Sequence, residues 1–257
     1  MKKIVKIFLL IIIAYILIMM IIISKHSKNN YCHKIKITIK DSSEYQFINS
    51  KEILKYLFEK NYEILGKPVY KIKTSLIEEK LNNFPEIKKA IVYITDNGIF
   101  NIEVLQFKPI SKIVDIANHY YYIDIDGNIL YSQKSTNSNT IFVNGYIPPI
   151  SNKYFNICEL TNNNYKIIND IYQLTKYIYS NEFWKAQIQQ IYVNEDREFE
   201  LIPRIGPHII ILGDINNYET KLENLYLFYK EALNKIGWNN YKYINLKFRN
   251  QIICTKN

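Results

Sequence analysis

The chain has 257 residues, of which 48% are hydrophobic and 22% charged, and its formal net charge is +9. This hydrophobicity excludes an intrinsically disordered chain, and 7 glycines and 7 prolines exclude a collagen-like or linker sequence. The charge is uneven: residues 1–28 hold five lysines and no acid (+5), whereas residues 29–257 hold 28 basic against 24 acidic side chains (+4). A nucleic-acid-binding protein would carry a basic, arginine-containing stripe on its folded part, so the composition does not indicate that function.

The first predicted element is an apolar segment near the N-terminus. Residues 7–23 contain no charged side chain, and the 20 residues 4–23 would form a helix of about 30 Å, which is long enough to cross a bilayer. A cleaved signal peptide is the alternative, but residues 24–27 do not offer a small-x-small cleavage site. The sequence therefore predicts a single transmembrane anchor at 4–23, a short cytoplasmic tail at 1–6 and a juxtamembrane linker at 24–33. Lysines on both sides leave the orientation open from charge alone.

The sequence predicts no metal or cofactor site. Its cysteines and histidines are far apart: Cys32, Cys158, Cys254, His26, His33, His119 and His208. Their spacing forms none of the patterns that hold zinc, such as CxxC or HExxH, and one disulfide remains possible. We expect Cys158 and Cys254 to be small core residues, because they lie in apolar stretches. We expect His208 to be a surface or turn residue, because it directly follows a Gly-Pro pair.

Residues 34–110 are predicted to form a small α+β domain. Isoleucine alternates with polar side chains over residues 35–39, as in a half-buried strand. Two capping patterns, at Asn49–Glu52 and at Ser75–Glu78, predict the starts of two helices. The turn sequence Asp96–Gly98 predicts a hairpin between two further alternating strands. The predicted order is therefore β-α-α-β-β.

This order resembles that of a POTRA domain. The segment Asn83–Ala90 (NFPEIKKA) is also similar to the stretch that joins the second helix of that family to its second strand. The resemblance implies a domain outside the cytoplasmic membrane that binds protein segments, often by adding a strand at a sheet edge.

Residues 115–257 are predicted to form a larger, sheet-dominated α+β domain. Apolar stripes at helical spacing predict amphipathic helices at 167–178 and 216–236. Asp126-Gly127 predicts a hairpin turn, and the alternation of Ile244, Leu246 and Phe248 with polar residues predicts a final strand. Further short strands are predicted at 141–143, 190–193, 199–203 and 208–212.

Several segments of this domain are similar to one bacterial family of cell-division proteins, FtsQ/DivIB. They are Tyr121–Gly127, Phe183–Ile188, Phe199–Gly206 and Tyr243–Lys256. Together with the predicted anchor and the POTRA-like domain, they make nearly the full chain resemble the Bacteroidetes-like branch of that family.

The resemblance implies a non-enzymatic scaffold of the divisome that acts in FtsZ-dependent cytokinesis. Such a protein is bitopic in the inner membrane at the division septum, with its N-terminus in the cytoplasm and the bulk of the chain in the periplasm. It links early division proteins to septal peptidoglycan synthesis. Its partners would be bitopic division proteins of the FtsB/DivIC and FtsL types, and further candidates are proteins of septal peptidoglycan synthesis. No cofactor, metal or nucleic acid is implied.

The resemblance also points to a partner-binding strand late in the second domain. The predicted binding residues are Tyr243, Asn245, Leu246, Lys247, Phe248 and Arg249. Tyr243 and Leu246 match the family pattern Tyr-x-Asp-Leu-Arg-Tyr, and the other positions differ. Lys247 lacks the planar fork with which arginine binds carboxylates, although Arg249 lies two residues further on. We expect residues 243–249 to be an edge strand that pairs with a partner strand; an ordinary interior strand is the alternative.

Three other function classes are less favoured. An enzyme would need a nucleophile elbow, a P-loop or metal-ligand spacing, and none occurs, although acids such as Asp124, Asp126 and Glu200 could meet in space. A POTRA-type envelope protein of outer-membrane assembly or secretion usually carries several POTRA units and a C-terminal β-barrel, whereas this chain has one such unit. The residues after it include two predicted amphipathic helices, so a barrel of eight or more strands does not fit there. A generic membrane-anchored binding protein is the third class.

Overall fold

The computed structural model describes residues 11–20, 30–132, 140–151, 156–249 and 251–256. The chain forms two compact units that divide between Gln106 and Phe107, and residues 11–20 form an exposed helix, α1. Within the described residues, no helix has both the length and the apolarity needed to cross a membrane. The predicted tail, half of the predicted anchor and residues 24–29 of the predicted linker lie outside the described residues.

The first unit contains a three-stranded sheet and two α-helices. In chain order its elements are β1 (Lys34–Ile39), α2 (Ser50–Glu59), a 3-10 helix (Val69–Lys71), α3 (Thr74–Asn82), β2 (Ile87–Ile94) and β3 (Ile99–Gln106). The strand order is β1-β3-β2, in which β3 runs parallel to β1 and antiparallel to β2. The predicted β-α-α-β-β order is confirmed.

Local sequence signals explain several of these boundaries. Helix α2 begins at a capping box: Asn49 Oδ1 accepts from the Glu52 N–H at 3.0 Å, and Glu52 Oε2 accepts from the Asn49 N–H at 2.9 Å. The β2–β3 hairpin turns at Gly98, whose φ of +76° is a left-handed conformation that glycine tolerates. A Cβ at this position would clash with the Tyr31 carbonyl oxygen, so the turn also needs the absence of a side chain.

The second predicted capping box is wrong. Helix α3 begins at Thr74, one residue before Ser75, and no side chain caps its N-terminus. The Glu78 carboxylate instead accepts a hydrogen bond from the Val92 N–H of β2 at 2.8 Å. The packing of α3 against β2 has therefore directed this carboxylate to the sheet rather than to the helix terminus.

A buried polar network joins the chain after β1 to the end of β3. The fully buried Gln106 side chain donates to the Tyr45 carbonyl oxygen at 2.8 Å and accepts from the Ile48 N–H at 3.0 Å. The Asp41 carboxylate accepts from the Gln106 backbone N–H at 3.1 Å. These bonds satisfy polar groups that would otherwise destabilise the interior.

The second unit is built on a sheet that has nine strands in the described residues. The strands are β4 (Pro109–Val114), β5 (Tyr120–Asp124), β6 (Ile129–Tyr131), β7 (Ile141–Gly145), β8 (Ile188–Val193), β9 (Phe199–Pro203), β10 (Ile209–Gly213), β11 (Tyr241–Asn245) and β12 (Ile253–Lys256). Their order in the sheet is β12-β11-β10-β9-β8-β7-β4-β5-β6. Pro109 and Ile110, which the sequence assigned to the first domain, begin β4 of this sheet.

Helical segments of the second unit pack on this sheet. They are α4 (Lys166–Ser180), α5 (Glu182–Gln187), α6 (Tyr218–Phe228), a π-helix (Tyr229–Leu233) and α7 (Asn234–Ile236), besides 3-10 turns at Ile157–Glu159 and Asn163–Tyr165. Helix α4 buries the predicted stripe of Ile167, Ile171, Leu174 and Ile178 in one core with the central strands. The predicted sheet-dominated α+β domain is confirmed.

Candidate partner-binding edge

The predicted binding residues do not lie on an edge strand. Tyr243 and Asn245 belong to β11, which pairs in parallel with β10 and antiparallel with β12. In the described part of the chain, β12 is the outermost strand at this end of the sheet. The expected edge position of residues 243–249 is therefore wrong, and the interior position that was its alternative is the one observed for β11.

The physical reason is that β11 ends early and the chain turns back. The Asn245 side-chain oxygen accepts from the Lys247 N–H at 2.9 Å, a local bond that competes with continuation of a strand. The Leu246 N–H still donates to the Ile211 carbonyl oxygen at 2.9 Å, and its side chain is buried in the core. Residues 247–249 then lie in the connection to β12.

The free edge belongs to β12. Cys254 pairs with Ile244 and packs against the core, so the alternate residues Ile253 and Thr255 face the opposite side of the sheet. Ile253 is 44% exposed. Among the described residues, neither a strand nor a side chain bonds to the outer side of β12. The β-branched residues Ile253 and Thr255 favour a strand, but a strand of four residues is too short for its alternation to be recognised from the sequence.

A groove lies beside the connection that leads into β12. It has a volume of about 510 Å³ and lies between α6 and the β11–β12 connection. Phe248, one of the predicted residues, borders it and is 46% exposed. The polar side chains that line the groove include Thr220, Lys221, Asn224, Lys247, Arg249 and Gln251. The groove is thus suited to polar or acidic groups rather than to an apolar ligand.

Two cations of the groove are neutralised within the chain. Lys247 Nζ lies 2.7 Å from the Glu198 carboxylate, whose hydrogen bond raises the pKa of Lys247. Lys221 Nζ lies 3.1 Å from the Asp214 carboxylate. Burial by itself would raise the pKa of Asp214, but the hydrogen bonds that it accepts outweigh this effect and lower that pKa. Arg249 has no ion-pair partner among the described residues, so an entering carboxylate would find Arg249 available.

His208 is the clearest difference from expectation elsewhere in this unit. It is 1% exposed rather than on the surface, and its Nε2 lies 2.6 Å from the Tyr229 hydroxyl. The rings of Trp184 and Trp238 pack around Tyr229, with centroids 6.0 and 4.9 Å away. Burial lowers the pKa of His208 and raises that of Tyr229. The contact joins the start of β10 to the π-helix.

The cysteines and the scattered acids do not form a chemical centre. All three cysteines are free thiols: Cys32 is buried, Cys254 is partly buried, and Cys158 is exposed, contrary to its expected place in the core. The buried Asp124 carboxylate accepts from the backbone N–H groups of Asp126 and Asn128 at 2.9 and 2.8 Å, which closes the β5–β6 hairpin. In the described ranges, no group of three or more possible ligands is placed to hold a metal ion.

Comparison with known families matches both units. The family described as "FtsQ/DivIB, C-terminal related" matches residues 108–255, and the family described as "POTRA-like domain" matches residues 30–105. A comparison with curated proteins finds no match. The fold and these matches define a two-domain protein in which a POTRA-like domain precedes a sheet-dominated α+β domain. The chain belongs to the FtsQ/DivIB family, whose members are non-enzymatic division proteins.

Proposed function

We propose that this protein is a bitopic inner-membrane scaffold of the bacterial divisome. Residues 4–23 would span the membrane, with the N-terminus in the cytoplasm and both folded units in the periplasm at the septum. The scaffold would link early division proteins to septal peptidoglycan synthesis through protein–protein contacts. FtsB/DivIC-like and FtsL-like proteins would be its partners. Membership of the FtsQ/DivIB family supports this proposal.

The observation that carries the proposal is the open edge of β12. An edge strand presents unpaired backbone N–H and C=O groups that can pair with an added strand, while side chains at alternate positions give specificity. The four residues of β12 would pair with about 13 Å of partner strand. Ile253 and Thr255 would contact its side chains on one face of the sheet.

The groove beside the connection into β12 supports an acidic partner segment. Residues 236–257 contain Lys242, Lys247, Arg249 and Lys256 and no Asp or Glu. Because Lys247 is already paired with Glu198, Arg249 is the residue that would bind a partner carboxylate, through its planar fork. Of the six residues predicted from the sequence, Phe248 and Arg249 would then act from the connection, while Tyr243 and Asn245 would support β12 from the neighbouring strand.

Depletion of the protein in its host tests the cellular role. We expect long cells with segregated chromosomes and no septa, because a division scaffold is needed for constriction. Normal septation together with reduced levels of outer-membrane proteins would contradict the proposal and would favour a POTRA-type assembly role.

Hydrogen exchange locates the contact. The full-length chain in lipid nanodiscs is mixed with the periplasmic segment of the host's DivIC-like protein, and amide exchange is compared with and without that segment. We expect β12 to gain protection and the opposite edge, β6, to remain unchanged. Arg249→Gln should weaken binding about tenfold, the loss of one charge-assisted contact. The matched control Arg204→Gln, an exposed arginine outside the groove, should bind normally. Protection of another region with none at β12 would refute the proposed edge.

A further inference from the structure

The sheet of the first unit also has an edge strand, β2, and side chains of helix α3 bond to its outer side. Among the residues that the structure describes, β2 pairs with one strand, β3, on one side. On its other side, the Ala90 N–H donates to Asn82 Oδ1 at 2.7 Å, and Asn82 Nδ2 donates to the Ala90 carbonyl oxygen at 3.3 Å. The Val92 N–H donates to Glu78 Oε2 at 2.8 Å. Three backbone groups that a partner strand would use are therefore bonded to side chains of α3.

We infer that α3 guards the β2 edge, so that the POTRA-like domain of this protein does not take up a partner strand at β2. An added strand would have to displace Asn82 and Glu78, and each lost bond would leave a polar group to be satisfied again. Strand addition would then be confined to β12 of the second unit; this consequence alone rests on the proposed function.

The geometry of Asn82 suits this role. Its amide acts as both acceptor and donor toward Ala90, as an opposing residue in an antiparallel strand pair does. Asn82 Nδ2 also donates to the Glu78 backbone carbonyl oxygen at 2.9 Å, which holds the amide in one orientation on the last turn of α3. The side chain thus substitutes for one residue of a neighbouring strand.

The composition of β2 gives a reason for a guard. With eight residues it is one of the two longest strands described. It exposes Ile91 and Tyr93, which are 39% and 40% accessible, on the open face of the sheet. A long edge strand with exposed apolar residues is an aggregation hazard, which natural proteins reduce with charged residues or by covering the edge. Lys88 and Lys89 provide charge at the start of β2, and α3 covers the backbone after them.

The edge strands β2 and β12 differ in whether side chains bond to their outer backbone groups. Within the described residues, no side chain bonds to the outer side of β12, whereas the outward N–H groups of Ala90 and Val92 are both occupied. The two sheets therefore differ in which edge is available. A resemblance to POTRA domains alone would have suggested the opposite choice.

Amide exchange in the full-length chain tests the guard without any partner. The double variant Glu78→Ala/Asn82→Ala should exchange the Ala90 and Val92 amides about five to ten times faster than the wild type, because each loses one hydrogen bond. The matched control is Glu79→Ala/Asn83→Ala, which changes the neighbouring exposed residues of the same segment and should leave both amides unchanged. The amides of β3, which is paired on both sides, report whether the domain remains folded.

Conservative variants separate the guard from a general effect on α3. Glu78→Gln retains an oxygen acceptor and should preserve protection of Val92, and Asn82→Asp should preserve that of Ala90. If the Ala90 and Val92 amides exchange equally fast in wild type and double variant while β3 stays protected, the guard does not exist. If the DivIC-like segment adds protection at β2 of the wild-type chain, the edge is open and the inference is also overturned. Failure of that segment to protect β12 would instead count against the proposed function.

Discussion

Replacing Tyr229 with phenylalanine should lower the free energy of unfolding of the second unit by about 1–3 kcal/mol. Tyr229 is 2% exposed, and its hydroxyl lies 2.6 Å from His208 Nε2 in a site where His208 is 1% exposed. The substitution removes one hydroxyl, and it leaves a buried imidazole nitrogen without its partner. The cost is that of an unsatisfied buried polar group rather than that of a cavity, because the ring itself is retained.

The same contact predicts how stability depends on pH. Burial lowers the pKa of His208 below its ordinary value of 6.5, so the unfolded chain binds a proton at a pH where the folded chain does not. The contribution of His208 is therefore fully present above about pH 6.5 and declines as the pH falls below it, until the folded-state pKa is reached. Between these two pKa values the slope is at most about 1.4 kcal/mol per pH unit. His208→Gln, which cannot titrate, should lose this slope.

The chain is well arranged for this measurement. Its 2 tryptophans, Trp184 and Trp238, both lie in the second unit and pack on Tyr229. Tryptophan fluorescence during urea denaturation of the full-length chain therefore reports this unit alone. With a slope of about 2 kcal/mol per molar urea, the midpoint of Tyr229→Phe should fall by about 0.5–1.5 M.

Tyr226→Phe provides the matched control. Tyr226 lies one turn earlier on α6 and is 42% exposed, so its change should alter the unfolding free energy by less than about 0.5 kcal/mol. Equal stability of Tyr229→Phe and the wild type would refute the argument from the buried hydrogen bond. An unchanged slope between pH 6.5 and 5 in His208→Gln would refute the argument from His208 titration.

Three further outcomes are expected. Gly98→Ala should destabilise the first unit by more than Gly66→Ala does. Both glycines have a φ of +76°, but no atom lies within 4 Å of a Cβ added at Gly66. Exchange of the β2 and β3 amides measures the two effects, and equal effects would contradict the steric reason. Gln106→Leu should lower the unfolding free energy of the same unit by about 2–4 kcal/mol, because it leaves the buried Ile48 N–H and Tyr45 carbonyl oxygen without a partner. The β3 amides should then exchange faster, and unchanged exchange would contradict this prediction. Lys247→Gln breaks an ion pair between partly exposed groups and should lower the unfolding free energy of the second unit by less than about 1 kcal/mol. A larger loss, measured by tryptophan fluorescence, would contradict the view that this ion pair adds little stability.

The order of the elements could be predicted from the sequence because short-range patterns specify it. The Asn49–Glu52 capping box, the turn at Gly98 and the apolar stripe of α4 each involve residues within a few positions of one another. Such signals depend on local backbone geometry and hydrogen bonding, which are the same in any fold. The resemblance of residues 243–256 to one family pointed to the end of the second sheet at which β11 and β12 lie, and the binding role of that end stays a prediction.

Only the tertiary structure decided which edges are open. Residues 243–249 have the alternation of an edge strand, but the turn at Asn245 brings β12 back against β11, a pairing that alternation does not specify. The Ser75–Glu78 pattern predicted that the Glu78 carboxylate caps the start of a helix. The packing of α3 against β2 instead makes this carboxylate accept from the Val92 N–H. His208 follows a turn sequence, yet it is buried because the π-helix places Tyr229 against it. In each case the deciding contact joins segments that are distant in sequence or belong to different elements, and periodicity carries no information about such contacts.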